Sequence, residues 1–288
     1  MTIATTSALY VAALCLLQPF QAESFRSRIP STSRRTASSP SLVVLNAEVA
    51  HESLSDRSVG GGDYVLGGDP KQSSGKSFIY EAIPSKDGQP IPGAEPVIVK
   101  LSKNTEALER EAKNYERIVT GTGSNNNNSN AGQEDLFVKV HGYMEQADPS
   151  CDRLKHKAAL VMEKGSQDLK TFLQENGPMK GKALKAAAWS TAKAVAAVHT
   201  SNMVWTEIKS ANFVVTKSNA IKGIDLESAI PHSNNPIDFS PEACPPEFAL
   251  AFLCGREPTM EMEPTFDIWS LGMLFYEIAT PSLSDVSK

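Results

Sequence analysis

Apolar residues change their spacing partway along this chain. Up to Glu163 they come in short runs bounded by Gly, Pro and Ser: Phe78 to Ile83, Pro96 to Leu101, Leu136 to Tyr143 and Ala159 to Glu163. Runs of that length and punctuation predict β-strands. Further on they recur every three or four residues, as Leu184, Ala188, Thr191, Val195 and Val198 do in the Ala-rich stretch Gly181 to Thr200. That period predicts a buried amphipathic helix. One helix interrupts the strands: Thr105 to Val119 sets Leu108, Ala112, Tyr115 and Ile118 on one face. Strands first and helices afterwards predict an α+β protein of two lobes. The first two strands are expected to form a hairpin through a Pro/Gly-rich loop containing Asp87-Gly88. Asp168 is a predicted N-cap for a short helix starting at Leu169. The segment Gly121 to Gly132, with four consecutive Asn among Ser and Gly, has no apolar period and is predicted to be an exposed loop.

Charge and composition narrow the function classes. The 288 residues allow one or two domains and a real core. With 28 Lys plus Arg against 33 Asp plus Glu, the formal charge of −5 gives no global positive field, so no nucleic-acid partner is expected. Any phosphate chemistry must be local. Cys15, Cys151, Cys244 and Cys254 lack CxxC spacing, which predicts structural thiols and not a zinc site or disulfide framework. Residues 1–50 carry four Arg and two Glu, a net +2 against −7 for the remainder. Their apolar run, Ala8 to Leu17, is half the roughly 20 residues that cross a bilayer, so it reads as a signal-peptide core, and no transmembrane anchor is expected in the mature chain. Ser24 to Ala47 adds Arg26, Arg28, Arg34, Arg35, seven Ser and no acid, a composition similar to a transit peptide. The two together resemble the bipartite presequence of complex plastids. A plastid location is expected, with secretion as the alternative. The expected organisation is a presequence at 1–50, a linker at 51–62 and a folded domain at 63–288, its lobes meeting near 163.

Chemistry-bearing residues concentrate in the second part. The segment Val204 to Val215, VWTEIKSANFVV, sets Glu207, Lys209 and Asn212 ahead of a strand-like FVV, and Asp225 follows thirteen residues after Asn212. An Asp and an Asn at two strand ends, with a Lys between them, suit Mg²⁺ and a nucleotide triphosphate, because Mg²⁺ takes few protein oxygens and completes its shell with phosphates.

Several segments, in order, resemble the eukaryotic protein kinase superfamily. Trp205-Thr206-Glu207-Ile208-Lys209-Ser210-Ala211-Asn212 is similar to H-R-D-L-x-x-x-N, and Asp225-Leu226-Glu227 to D-F-G. Pro245-Pro246-Glu247 is similar to A-P-E, and Phe266 to Ile278, through Asp267, Trp269, Ser270 and Gly272, to the D-x-W-S-x-G segment. Upstream, Val97-Ile98-Val99-Lys100 is similar to V-A-I-K. Glu111 stands where the family's helix glutamate would, and Val161-Met162-Glu163 resembles the hinge that receives adenine.

The resemblance implies a two-lobed protein-kinase-like fold, with a strand-rich N-lobe and a helical C-lobe lacking its last helices. It implies ATP- and Mg²⁺-dependent phosphoryl transfer to Ser or Thr of a protein substrate. Lys100 would hold the phosphates while paired with Glu111. Glu207 would accept the proton, and Lys209 would neutralise the transferring group. Asn212 and Asp225 would hold Mg²⁺. Met162 is the expected gatekeeper and Glu163 the expected hinge contact. Gly75 would belong to the loop over the phosphates, and Asp267 would tie the catalytic loop to its helix.

The departures are specific. The glycine-rich loop is poorly matched by Gly67 to Ser77. Glu207 replaces the catalytic Asp and moves the carboxylate outward by one methylene. Thr206 replaces the motif Arg, which removes the usual cation for an activation-loop phosphate. Glu227 replaces the motif Gly, restricting the backbone and adding a negative charge near the metal. Two readings stand: a slow serine/threonine kinase, or a pseudokinase that uses the cleft to bind nucleotide or to present a surface.

Overall fold

The computed structural model describes residues 58–59, 63–68, 70–73, 77–120, 135–145, 158–254 and 261–280. The presequence, Gly75, the whole of the Asn-rich segment Gly121 to Gly132, Cys15 and Cys151 lie outside the described residues. The first part of the chain builds one antiparallel sheet. Short β1 (Ser58–Val59), β2 (Tyr64–Leu66) and β3 (Gln72–Ser73) precede the long β4 (Ser77–Lys86), then β5 (Gln89–Pro90) and β6 (Val97–Ser102). Asp87 and Gly88 both take left-handed backbone, φ 52° and 75°, the geometry of a two-residue hairpin loop. They therefore make their own tight hairpin onto β5 (Lys86 opposite Gln89), nested inside the wider expected one. β6 then pairs with β4 from Ser77 opposite Ser102 to Ala82 opposite Val97.

Helix α1 (Thr105–Thr120) follows. It is capped by Asn104, whose Oδ1 accepts the Ala107 amide at 3.1 Å. β7 (Val140–Met144) and β8 (Ala158–Glu163) complete the order β1-β2-β4-β6-β8-β7. One sheet face gathers Leu66, Tyr80, Ala82, Val97, Val99 and Val161 into a small cluster. The other carries Leu160 and Met162 into the main core, with Leu108, Tyr115 and Ile118 of α1.

The expected strand from Leu136 starts only at Val140. Residues 136–139 are drawn off the sheet to run parallel to Gly223, with Gly223 N–H on the Leu136 carbonyl at 2.8 Å and Val138 N–H on the Gly223 carbonyl at 3.2 Å. The reason is aromatic packing. Phe137 is wholly buried between Tyr115 and Trp205, at centroid distances of 6.4 and 5.8 Å. Gly223 makes this approach feasible, since a Cβ there would lie 2.8 Å from the Phe137 ring.

The second part is helical around two small ribbons. β9 (Gln167–Asp168) leads into α2 (Leu169–Asn176), and Asp168 caps it as expected, accepting the Thr171 amide at 2.8 Å. α3 (Gly181–Thr200) matches the predicted span, burying Thr191, Val195 and Val198 with Leu184 and Ala188 half-buried. Then come β10 (Met203–Val204), β11 (Phe213–Val215), β12 (Ile221–Gly223), β13 (Ile230–Pro231), α4 (Pro246–Leu253) and α5 (Pro264–Ala279). Strands β12-β11-β9 form one sheet and β10-β13 a ribbon. A continuous core runs from Tyr115 and Leu160 through Trp205 and Leu226 to Leu274 and Ile278. This is the expected α+β architecture of two lobes. Among the described residues no helix is long and apolar enough to cross a membrane.

Candidate active site

Strand β6 delivers Lys100 on the face turned toward α1. Its Nζ lies 2.7 Å from Glu111 Oε2, 3.1 Å from Asp225 Oδ1 and 3.4 Å from Glu227 Oε2. Three carboxylates from a helix and a distant loop thus share one buried ammonium. Burial by itself would discharge Lys100, but Glu111 first, then Asp225 and Glu227, outweigh it and hold the ammonium above its usual value. The reverse applies to Glu111, where burial outweighs the pull of Lys100 and pushes the carboxyl up to about 7. The two shifts oppose each other because one cation serves three anions. Lys100 is held charged, and Glu111, the most deeply buried of the three, is pushed toward its neutral form.

Asp225 has left-handed backbone, φ 61°, a costly conformation for a residue with a side chain. Two aromatic side chains hold it. Its N–H donates to the Tyr115 hydroxyl oxygen at 3.0 Å, and its carbonyl accepts from Trp205 Nε1 at 3.2 Å. α1 fixes the residues that follow: Asn114 Nδ2 donates to the carbonyls of Leu226 and Ala229 at 2.8 and 2.9 Å, and Arg110 Nε to that of Glu227 at 3.1 Å. Tyr115 belongs to the apolar stripe expected from the sequence, whereas Asn114 and Arg110 belong to no motif. The available signal was Asn114, three residues after Glu111 and beside Tyr115 on the buried face of the helix.

Asp267, from the first turn of α5, is completely buried. Its Oδ2 accepts the Trp205 amide at 2.7 Å and lies 2.8 Å from His199 Nε2, while Oδ1 accepts the Thr206 amide at 2.9 Å. This holds Thr206 in left-handed backbone, φ 65°, directly before Glu207, whose side chain is 18% exposed. Thr206 also compensates for the missing arginine, since its hydroxyl lies 2.9 Å from the Asp238 carbonyl and 3.2 Å from that of Ser228. These hydroxyl contacts tie the catalytic loop to the segment beyond Asp225. His199 had no signal in the sequence reading.

Glu207 Oε1 contacts Lys209 Nζ and stands 3.5 Å from Ser240 Oγ, a residue the sequence reading missed. Burial raises the Glu207 pKa, with Lys209 pulling it back. Asn212 closes a tight turn, Ser210–Asn212, and its Nδ2 donates to the Glu207 carbonyl at 2.8 Å. That bond leaves the amide oxygen as the group available to a cation. The Ile224 amide donates to the Asn212 carbonyl at 2.9 Å, which brings Asn212 alongside the residue preceding Asp225. An amide oxygen and a partly exposed carboxylate are the hard oxygen donors that Mg²⁺ prefers, so the residues present fit the ion.

Met162 is buried on β8, opposite Ile98 and Val140. The Glu163 side chain is engaged by Lys222 at 2.8 Å. Just beyond, a Cβ on Gly165 would lie 2.7 Å from Val214 Cβ, so the chain linking the lobes packs directly on β11. Gly67 is not the glycine of a phosphate-covering turn, because its amide sits within the ladder on the Glu81 carbonyl at 2.7 Å. β3 pairs with β4 through Ser73 opposite Phe78, and Gly75, the expected loop glycine, lies outside the described residues. A cavity of about 1270 Å³ is lined by Ala112, Tyr115, Val138, Lys139, Glu163 and Lys222 among others; Glu163 is the expected site residue that reaches it, whereas Lys100, Asp225 and Glu207 are not part of it.

A sheet lysine paired with a helix glutamate, facing an Asp and an Asn from two loops of a helical lobe, defines a kinase-type phosphotransferase site. A family model described as Protein kinase domain matches residues 100–284, and the chain belongs to that family. The match begins at Lys100; strands β1 to β5, which precede it, are joined to β6 through β4. No curated protein matches the chain.

Proposed function

We propose that this protein is an ATP- and Mg²⁺-dependent protein serine/threonine kinase, slowed by a glutamate in the proton-accepting position. The convergence of Lys100 with Glu111 and Asp225 at 2.7 and 3.1 Å carries this reading. Lys100 receives the charge of the α- and β-phosphates and Glu111 fixes its position. Asp225 and Asn212 would hold Mg²⁺, which would supply neutralisation of the triphosphate. Glu207 orients the substrate hydroxyl and takes its proton on a carboxylate oxygen, while Lys209 stands beside it to offset the charge on the transferring group. A lysine two residues after the acid resembles the arrangement of serine/threonine kinases, and that resemblance favours Ser and Thr over Tyr as acceptors.

Glu207 reaches one methylene further than aspartate. A displacement of about 1 Å costs about 10² in rate, so against the usual 1–100 s⁻¹ a kcat on the order of 0.01–1 s⁻¹ is expected. The acid must be ionised to accept a proton, so the rate falls as pH drops through its pKa. Because burial raises that pKa, the acidic limb lies above 4.5. Transfer of label from ATP to a generic Ser/Thr substrate, followed against pH, tests this. Glu207→Gln should abolish the limb and lower the rate by about 10²–10⁴. Unchanged incorporation in Glu207→Gln would contradict the assignment. The second reading, a pseudokinase, is favoured by the hold of Lys209 and Ser240 on the Glu207 carboxylate; nucleotide binding with no incorporation at any pH selects it.

A further inference from the structure

We propose that Glu227 is a specificity-determining residue of this site: its carboxylate competes with nucleotide phosphate for Lys100 and so weakens the binding of a triphosphate relative to the same nucleoside without phosphates. The proposal rests on the phosphotransfer reading, in which Lys100 receives the phosphates. An ammonium has three N–H donors. Here three carboxylates engage it: Glu111 Oε2 at 2.7 Å, Asp225 Oδ1 at 3.1 Å and Glu227 Oε2 at 3.4 Å. Lys100 is buried, so an incoming phosphate does not add to a solvated cation. It must take the place of an anion already there.

The way each carboxylate is held shows which one competes. Glu111 makes the shortest contact from the buried face of α1 and is the partner that positions Lys100. Glu227 makes the longest, its side chain is 31% exposed, and its carboxylate has no other hydrogen-bond or ion-pair partner among the described residues. Its backbone is nevertheless fixed. The Glu227 carbonyl accepts from Arg110 Nε at 3.1 Å, and Asn114 Nδ2 donates to the carbonyls of Leu226 and Ala229 on either side. α1 therefore keeps this carboxylate within reach of the ammonium.

Charge acts in the same direction. Asp225 and Glu227 alone set two negative charges against the one positive charge of Lys100. A triphosphate brings more negative charge to that point, and like charges brought together weaken binding. A nucleoside brings none. Removing the Glu227 charge frees one donor of Lys100 and leaves Asp225 and Glu111 in place.

The experiment measures the dissociation constants of ATP and of adenosine for the full chain by isothermal titration calorimetry without divalent metal, in the wild type and in Glu227→Gln. The substitution is isosteric at a partly exposed side chain, and matched urea midpoints exclude misfolding. ATP should bind Glu227→Gln about tenfold more tightly than the wild type, the scale of one hydrogen bond to a charged group, while adenosine binds both alike. Equal ATP affinity in the two proteins, a gain for adenosine that matches the gain for ATP, or no ATP binding by Glu227→Gln overturns the proposal. Label transfer by the wild type with Mg²⁺ and ATP judges the phosphotransfer reading separately. Transfer with equal ATP affinities removes the role of Glu227 alone, whereas tighter ATP binding by Glu227→Gln without transfer keeps that role and removes the kinase.

Discussion

Lys100→Met should lower stability by about 3–5 kcal/mol, the usual consequence of removing one partner from a buried ion pair. The loss comes through Glu111. Asp225 and Glu227 also contact Lys100, but their side chains are 38% and 31% exposed, so water screens what they lose, whereas that of Glu111 is 1% exposed and has no such recourse. Glu111→Gln in the same chain should restore much of the stability by removing the stranded charge, while phosphoryl transfer stays lost because the phosphates still lack their cation. The deficit of Lys100→Met is also pH-dependent, with a definite sign. Glu111 already sits near 7 with lysine beside it, and the core tolerates its protonated form. The single variant is therefore least impaired near the ordinary carboxyl value of 4.5 and loses stability as pH rises through 7 and beyond. Urea midpoints of wild type, Lys100→Met and the double variant at two pH values measure all of this. A single variant as stable as the wild type at pH 8 would show that Lys100 does not neutralise Glu111.

Asp267→Ala should be comparably damaging. This carboxylate is fully buried, accepts the amides of Trp205 and Thr206, and contacts His199. Removing it strands two backbone donors at about 1–3 kcal/mol each and releases the left-handed conformation of Thr206. A loss of about 3–5 kcal/mol follows, or a melting temperature lowered by roughly 6–20 °C for a domain of this size. Catalysis should fall further than stability, because Glu207 is the next residue along the chain. A melting temperature within a few degrees of wild type would mean that Thr206 is held by its own hydrogen bonds to Ser228 and Asp238 and not by Asp267.

The parts of this molecule that were legible in its sequence are those that repeat locally or keep a fixed spacing. α1 and α3 followed from apolar residues at intervals of three and four, and the cap at Asp168 from its position before Leu169. Lys100, Glu111, Glu207, Lys209, Asn212 and Asp225 followed from ordered motifs, and the structure brings Lys100, Glu111 and Asp225 into direct contact and seats Asn212 beside them.

What was not legible depends on partners far away in the chain. Leu136 to Lys139 has the apolar pattern of a strand, yet the burial of Phe137 against Trp205 and Tyr115 pulls it from the sheet. The hold on Asp225 by Tyr115 and Trp205, the Asn114 bonds to Leu226 and Ala229, and the approach of Ser240 to Glu207 leave no local period. Two substitutions read as losses have positive roles in the fold. Thr206 bonds the segment that an arginine would have held through a phosphate, and Glu227 turns its carboxylate onto Lys100.

A crystal structure of the full chain with Mg²⁺ and a non-hydrolysable ATP analogue addresses the shared triphosphate site directly. The expected result has Lys100 Nζ within hydrogen-bonding distance of the α- or β-phosphate while still paired with Glu111, and metal density between the triphosphate and the side chains of Asp225 and Asn212. A nucleotide bound elsewhere, or one in the cleft with Lys100 still closed on Asp225 and Glu227 and no metal at Asn212, would contradict it.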